Sequence, residues 1–208
     1  MPSHEPKNYA LLRYDGSLIL HGVAFRSSRA EPFGEAFLRK AIRHLLVGDV
    51  PAVREAYLAA IDRLRRRELP TRDISCRVRL TKTPAEYLAV RESRRELPYE
   101  AMLASDRTSW SVGDRIRVYR KRKGGCGLLE ESEDGDVVST NVDNRDYDID
   151  HYARQLRQTF ASRLVCAFSP ADYEAMFAEP DQMSLFMPAV TTIRTVLEKK
   201  LKLKAGTL

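Results

Sequence analysis

The hydrophobic period of the chain changes abruptly between residues 74 and 86. Apolar and polar residues alternate over 74–80, which predicts a half-buried strand. Thr83-Pro84-Ala85-Glu86 follows and has the form of a capping box with proline in the first helical turn. This motif predicts a helix that is interrupted at Pro98. Because a strand leads directly into a helix, the chain must combine both structures, and we predict an α+β fold.

Residues 9 to 25 form the first predicted element, a β-hairpin. Asp15-Gly16 is a favoured tight turn, and it separates the apolar runs Leu11-Leu12 and Leu18-Ile19-Leu20. An isolated hairpin is marginally stable in water. We therefore expect this hairpin to pack on the rest of the chain or on a further domain.

Most of the remaining chain shows apolar residues at helical spacing. Helices are predicted between Pro32 and Gly48, and from a cap at Asp49 to Arg65-Arg66-Arg67. A long helix is predicted over residues 148–168, and Ser169-Pro170 caps a short final helix.

The region after residue 112 contains less regular structure. A strand is predicted over 112–120, followed by a glycine turn and an acidic irregular stretch from Glu130 to Asp143. From Glu179 onward the core pattern is lost, which indicates a tail that contains a basic helix from Val190 to Lys204. We therefore divide the chain into residues 1–29, 30–178 and 179–208.

Charge and cysteine content restrict the function. Lys and Arg number 35 against 29 Asp and Glu, and the resulting pI near 9.3 favours an anionic partner. The three cysteines are widely separated, so we expect reduced, buried thiols and neither a disulfide framework nor a zinc site. No stretch reaches the roughly 18 apolar residues of a membrane span, and no signal peptide is evident, so we expect a cytoplasmic protein.

Cations beside the predicted strands are the candidate binding residues. Arg77 and Arg79 alternate onto one open face, and Thr81-Lys82 follows at the start of a helix, where free backbone N–H groups would add to the lysine charge. A second strand leads into a run dense enough to bind a polyanion. That run comprises Arg115, Arg117, Arg120, Lys121, Arg122 and Lys123. The nearby acidic residues Glu130, Glu131, Glu133 and Asp134 could instead neutralise it.

A series of short motifs runs in a fixed order for nearly 170 residues. It starts with Lys7-Asn8-Tyr9-Ala10 at the hairpin. It continues with Gly16, Gly22, Gly48-Asp49, Leu80-Thr81-Lys82, Tyr87, Val112-Gly113-Asp114 and Tyr147-Asp148 to Tyr152. Together these residues resemble the palm end and the thumb of a bacterial family B DNA polymerase. Asn8 stands where this family commonly has arginine.

The resemblance implies a palm-derived β-hairpin followed by a mainly helical thumb with a small β element. It also implies that Lys7 and Tyr9 contact the primer strand and that Thr81 and Lys82 grip duplex phosphates. Arg26 and Arg29, at the exit from the hairpin, are further candidates. The polymerase carboxylates, expected in Asp-x-x-Ser-Leu-Tyr and Asp-Thr-Asp contexts, are absent from the sequence. We therefore expect no cofactor in this chain, because magnesium would bind the missing palm, and no polymerisation by the chain alone.

A short peptide near the end of the sequence resembles the bacterial sliding-clamp motif Gln-Leu-Ser/Asp-Leu-Phe. Its residues predicted to bind the clamp are Gln182, Met183, Leu185 and Phe186, with Met183 in place of the usual leucine. Leu185 and Phe186 would enter a pocket of the clamp, with Gln182 hydrogen bonding at its rim. The alternative is a tail that folds back on the thumb.

The predicted function is to hold primer-template DNA through its backbone, without sequence preference, and to tether a polymerase to the sliding clamp in replication or repair. The palm and exonuclease part of the polymerase would be a further partner. One alternative is a stand-alone, non-catalytic clamp-binding adaptor, and another is the small subunit of a split polymerase. A carboxylate-dependent nuclease built on Asp143, Asp146, Asp148 and Asp150 is a third, although Asp148 serves equally well as a helix cap.

Overall fold

The computed structural model describes residues 8–22, 25, 30–129, 143–179 and 189–196. These residues form an α+β structure with two antiparallel sheets, so the predicted fold class is confirmed. The chain divides into two compact units. Unit 1 comprises Met1–Ser27, Gly34–Arg63 and Ala153–Leu208, and unit 2 comprises Ser28–Phe33 and Leu64–Tyr152. No helix within the described ranges is both long and apolar enough to cross a membrane.

The strands and helices follow one another in this order. They are β1 (Tyr9–Leu12), β2 (Leu18–His21), α1 (Pro32–Leu46), α2 (Val50–Arg65), α3 (Thr71–Ile74), β3 (Cys76–Arg79), α4 (Pro84–Val90), α5 (Leu97–Ala104), β4 (Arg115–Arg120), β5 (Cys126–Leu129), α6 (Ile149–Gln155) and α7 (Pro170–Phe177). Shorter helical turns lie at Arg122–Gly124 and Val190–Thr192.

The predicted hairpin is present at the start of unit 1. Strands β1 and β2 pair antiparallel, with Tyr9 opposite His21. The Asp15 carboxylate accepts a hydrogen bond from the Ser17 N–H at 2.8 Å, and Gly16 has a φ of +79°. Since this conformation is unfavourable for residues with a Cβ atom, the turn requires the glycine.

Aromatic side chains form the centre of unit 1. Phe37 of α1, Tyr57 of α2 and Phe177 of α7 pack edge to face, with ring centroids 5.4 to 6.5 Å apart. Burial raises the pKa of the Tyr57 hydroxyl to about 12. The buried guanidinium of Arg54 donates hydrogen bonds to the carbonyls of Met176 and Ala178. It thereby provides partners for carbonyl groups that the end of α7 leaves without helical hydrogen bonds.

The predicted helix caps of unit 1 are confirmed. The Asp49 carboxylate accepts from the Ala52 N–H at 3.2 Å, and the Ser169 hydroxyl accepts from the Asp172 N–H at 3.3 Å. The predicted long helix 148–168 is helical over most of its length but changes its hydrogen-bond pattern. It passes from α6 into a π-helical turn at Leu156–Phe160 and then a 3₁₀ stretch at Ala161–Ala167.

The core of unit 2 lies under a three-stranded sheet in the order β3-β4-β5. Ile116 and Val118 of β4 pack with buried residues of α4 and α5, among them Tyr87, Tyr99 and Met102. The opposite face of β3 and β4 carries arginines. The strand alternation predicted from the sequence therefore separates an apolar face from a cationic one.

A network of polar side chains joins α4 to α5. The Glu100 carboxylate accepts hydrogen bonds from the Tyr87 hydroxyl at 2.5 Å and from two Arg91 nitrogens at 2.8 and 3.0 Å. The bonds from Arg91, and then that from Tyr87, lower the pKa of Glu100 from 4.5 to about 2. At its start, α4 has the predicted capping box, because Thr83 and Glu86 each accept from the other's backbone N–H.

Two arginines that are distant in sequence hold each other's backbone. The Arg67 guanidinium donates to the carbonyls of Arg145 and Tyr147, and the Arg145 guanidinium donates to the Arg67 carbonyl at 2.8 Å. Arg67 and Arg145 have φ values of +56° and +45°, a conformation rare for residues with side chains. This reciprocal arginine joint fixes the end of α2 against the segment before α6.

Several predicted boundaries in unit 2 are wrong. The strand expected over 74–80 is limited to β3, because residues 71–74 form the short helix α3, which ends where the Ser75 hydroxyl donates to the Arg72 carbonyl at 2.7 Å. The first helix after it ends at Val90, and Pro98 lies in the first turn of α5, where proline needs no N–H partner.

Other corrections concern β4, β5, the cysteines and the end of the chain. Strand β4 begins at Arg115, not at residue 112, and β5 was not predicted, because its glycine weakens the strand pattern. The cysteines are not buried as expected, because Cys166 is exposed and Cys76 and Cys126 are only half-buried. The helix predicted from Val190 does not begin there: Val190–Thr192 is a 3₁₀ turn, Ile193 after it is fully buried, and the chain is helical again at Val196, beyond which residues lie outside the described ranges.

Candidate nucleic-acid interface

Four arginines face one another on the outer side of β3 and β4. Arg77 lies opposite Arg117, and Arg79 lies opposite Arg115. We call this group the arginine ladder. Like charges directly opposite each other destabilise an antiparallel pair. An anion bound between the outer arginines, Arg79 and Arg115, would offset this repulsion.

The ladder contains an inner and an outer pair. Arg77 and Arg117 are half-buried, and an Arg117 nitrogen lies 3.4 Å from the Ser75 hydroxyl. Arg79 and Arg115 are exposed, and neither forms an ion pair with another residue that the structure describes. The outer pair is thus the part of the ladder that a ligand can reach most directly.

Thr81 and Lys82 lie at the junction of β3 and α4, and their own backbone N–H groups are occupied. Their backbone N–H groups donate to the Tyr99 hydroxyl at 3.0 and 2.9 Å. The backbone N–H groups of Thr81 and Lys82 are therefore not available to a ligand, because a buried tyrosine from α5 occupies them.

The charge of the Lys82 side chain is partly neutralised by Glu96. Its Nζ atom lies 2.5 Å from a Glu96 carboxylate oxygen, and the Arg94 Nε atom lies 3.3 Å from the same oxygen. Glu96 therefore neutralises one of the two cations. Arg94 and Glu96, but not Lys82, line a cleft of about 310 Å³ together with Tyr99 and with Arg79 of the ladder.

The basic run after the ladder is also partly neutralised. Lys121 Nζ lies 3.4 Å from one carboxylate oxygen of Asp146, and the other oxygen accepts a 2.8 Å hydrogen bond from the Tyr119 hydroxyl. The Arg120 N–H donates to the Tyr152 hydroxyl at 2.9 Å. The neutralising acid in the described residues is thus Asp146, while residues 130–142, with the acids expected to do this, lie outside the described ranges.

The end of the run lines a separate cleft of about 510 Å³ in unit 2. Its lining residues are Arg65, Arg67, Arg122, Lys123, Asp148, Ile149 and Asp150. Gly124 follows with a φ of +78° and ends a 3₁₀ turn. The predicted glycine turn is confirmed.

The aspartates considered for a nuclease have separate structural contacts. Asp143 accepts from the backbone N–H of Thr71 at 3.0 Å and from its hydroxyl, and Asp148 caps α6 by accepting from the His151 N–H at 3.0 Å. Burial raises the pKa of Asp143, but the hydrogen bonds from Thr71 outweigh it and lower that pKa overall. Across the described ranges no group of three His, Cys, Asp or Glu residues could hold a metal ion.

The hairpin presents the predicted primer-contacting tyrosine. Tyr9 is 45% exposed, and its ring stacks on that of His21 with a centroid distance of 4.9 Å. Lys7, Arg26 and Arg29 lie outside the described residues. So do the four residues of the predicted clamp peptide, Gln182, Met183, Leu185 and Phe186.

One cationic surface was missed by the sequence reasoning. Arg39, Lys40 and Arg43 of α1 line a cleft of about 420 Å³ together with Leu18 of β2. We call this the α1 cleft. Their spacing of one and four residues on an amphipathic helix was the available signal, since it places all three on the polar side.

No protein family model matches the sequence, and no curated protein does. Among solved structures the chain is similar to the family B DNA polymerase from the hyperthermophilic archaeon Pyrobaculum calidifontis, with a TM-score of 0.51 and 20% sequence identity. The similarity covers 76% of this chain and 19% of that polymerase, so the chain spans about a fifth of the polymerase's length. The shared feature at this identity is the fold.

Proposed function

We propose that the chain is the thumb module of a family B DNA polymerase and holds primer-template DNA through phosphate contacts. The observation that carries this proposal is the arginine ladder, in which the exposed Arg79 and Arg115 lie opposite each other and form no ion pair with another described residue. The fold similarity to a family B polymerase supports it, because the motifs that resemble this family occur in the same chain.

Arginine suits this role for a chemical reason. Its planar guanidinium can donate two parallel hydrogen bonds to phosphate oxygens, and contacts of this kind position a duplex without reading its sequence. The exposed pair Arg79 and Arg115 would make the direct contacts. Lys82 would contribute less than its position suggests, because Glu96 competes for its charge.

We further propose that residues 182–186 tether the module to a bacterial sliding clamp and that a palm and exonuclease polypeptide supplies the catalytic carboxylates and their magnesium ions. The chain alone would hold DNA but incorporate no nucleotides. A role in replication or repair and a cytoplasmic location stay predictions.

Binding of labelled duplexes tests the DNA-holding role. Affinity should differ little between unrelated sequences, and log affinity should fall with log salt at a slope of about 0.9 per phosphate neutralised. Addition of a palm and exonuclease polypeptide from the same genome should restore primer extension. Absence of DNA binding at low salt would contradict the proposal.

A calorimetric titration with sliding clamp tests the tether. The double variant Leu185→Ala with Phe186→Ala should bind roughly thirtyfold more weakly, a loss of about 2 kcal/mol, because two apolar anchors dominate a small peptide interface. Ser184→Ala is the matched control and should bind as the parent does. Clamp binding without DNA binding would instead favour the stand-alone adaptor.

A further inference from the structure

The α1 cleft concentrates positive charge at a place that the proposed thumb function does not use. Arg39, Lys40 and Arg43 are all exposed, and Leu18 of the hairpin forms the apolar wall. All four residues belong to unit 1. The cleft is therefore built by one unit alone, from a strand and a helix.

Its cations have no counterion within the described part of the chain. Glu35 lies one helical turn before Arg39, but no ion pair of 4.0 Å or less joins them. Like charges one turn apart on a helix destabilise it by a few tenths of a kcal/mol. The arrangement is therefore slightly unfavourable until an anion binds.

The spacing of the cations matches a nucleic-acid backbone. Arg39 and Arg43 are separated by about 6 Å along the helix axis. Each strand of a duplex carries a phosphate about every 3.4 Å along its axis, so a strand aligned with α1 presents roughly two phosphates over this distance. The Leu18 wall would face sugar carbons, whereas a compact free anion would leave it unused.

We propose that the α1 cleft binds successive phosphates of a polynucleotide backbone, as a contact of unit 1 in addition to the arginine ladder of unit 2. The choice of polynucleotide as the ligand rests on the proposed function. The site itself rests on the three unpaired cations and their spacing.

The triple variant Arg39→Gln, Lys40→Gln and Arg43→Gln tests the site, because glutamine removes charge while preserving helix propensity. In anisotropy titrations with duplex DNA, its log–log salt slope should fall by about 1.8, because roughly two phosphates are neutralised, and its low-salt affinity should fall at least tenfold. A control variant with the same charge loss at exposed positions, Arg63→Gln, Arg95→Gln and Arg154→Gln, should retain most of the slope. Circular dichroism checks that each variant is folded.

Protection of Lys40 from acetylation, read by mass spectrometry, reports on the cleft directly. Duplex DNA should protect Lys40 in the parent. Tripolyphosphate, as a free phosphate, and poly-glutamate, as an acidic polypeptide, should protect it less at equal charge concentration.

The outcomes separate this inference from the proposed function. DNA binding with unprotected Lys40 and an unchanged slope in the triple variant would overturn the inference and leave the thumb function intact. Equal or better protection by tripolyphosphate or poly-glutamate would also overturn it, in favour of that other ligand. In another outcome, duplex DNA protects Lys40 while neutralisation of Arg79 and Arg115 leaves DNA binding unchanged. That result would support the α1 cleft as a DNA contact and contradict the arginine ladder as one.

Discussion

The lysines beside the arginine ladder of unit 2 and the cations of the α1 cleft of unit 1 differ in whether an acid neutralises them. Around the ladder, Glu96 lies against Lys82, and Asp146 lies against Lys121. In the α1 cleft no described acid lies within ion-pair distance of the three cations. A dense cationic run in a sequence therefore does not say which charges are available, because the neutralising acids come from distant positions.

Two glycines provide the largest expected effects, one in each region. A Cβ atom at Gly34 of α1 would lie 2.2 Å from the fully buried Phe160 ring, and one at Gly127 of β5 would lie 2.2 Å from the Tyr119 ring. Overpacking costs about 1 to 3 kcal/mol, and we expect Gly34→Ala near the upper end. Gly127→Ala should cost less, since Tyr119 lies nearer the surface.

Urea unfolding measures both changes, and the double variant Gly34→Ala with Phe160→Leu should recover part of the loss. The loss of DNA binding should track the affected region, with Gly127→Ala weakening the ladder contribution more than Gly34→Ala does. Parent-like stability of Gly34→Ala would mean that Phe160 has room to move.

Lowering the pH should destabilise unit 2, which carries the ladder, before unit 1, which carries the α1 cleft. The pKa of Glu100 lies at about 2 in the folded chain against an ordinary 4.5, so its stabilising contribution is present above about pH 4.5 and is lost as the pH falls toward 2. Glu100→Gln should lose roughly 1.5 kcal/mol at pH 7, the contribution of a hydrogen bond to a charged group. Unfolding curves from pH 7 to pH 3 should converge for parent and variant, and parallel curves would contradict this account.

Neutralising the exposed half of the ladder should have a smaller effect, on binding alone. Arg79→Gln with Arg115→Gln should lower the salt slope by up to about 1.8 and weaken duplex binding about tenfold. The matched pair Arg63→Gln with Arg95→Gln removes the same charge elsewhere. Equal DNA binding by the two double variants would mean that the ladder arginines contribute only through the net charge of the protein and make no specific phosphate contacts.

The smallest expected effect concerns the acid that competes with DNA. Glu96→Gln releases Lys82 and Arg94, so duplex affinity should rise by a few fold and the salt slope by about one. Lys82→Ala in the parent should change the slope by less than one, because Glu96 already neutralises much of the charge. If Glu96→Gln weakens binding, Glu96 acts instead by holding Lys82 in position.

Features that depend on neighbouring residues were predictable from the sequence. The Asp15-Gly16 turn, the capping box at Thr83 and the cap at Asp49 each depend on contacts between residues no more than four apart, and all three are present. The alternation that places Arg77 and Arg79 on one strand is equally local. These elements established the fold class.

Features that depend on distant residues were not predictable. The Tyr99 hydroxyl that occupies the N–H groups of Thr81 and Lys82 lies 18 and 17 residues further along the chain, and the pairing of Arg79 with Arg115 needs the register of two strands. The α1 cleft was not predicted because its fourth lining residue, Leu18, comes from β2 and not from α1. The sequence therefore identified candidate cations but did not identify which acidic residues neutralise them.

The reciprocal arginine joint has a consequence for the kinetics of folding. Arg67 and Arg145 are 78 residues apart, so their contact closes a long segment of chain and gives little return until unit 2 is nearly assembled. Contacts made after the rate-limiting step change the unfolding rate much more than the folding rate. Loss of the joint should therefore raise the unfolding rate of unit 2 and shorten the lifetime of its folded state. Its folding rate should stay almost unchanged.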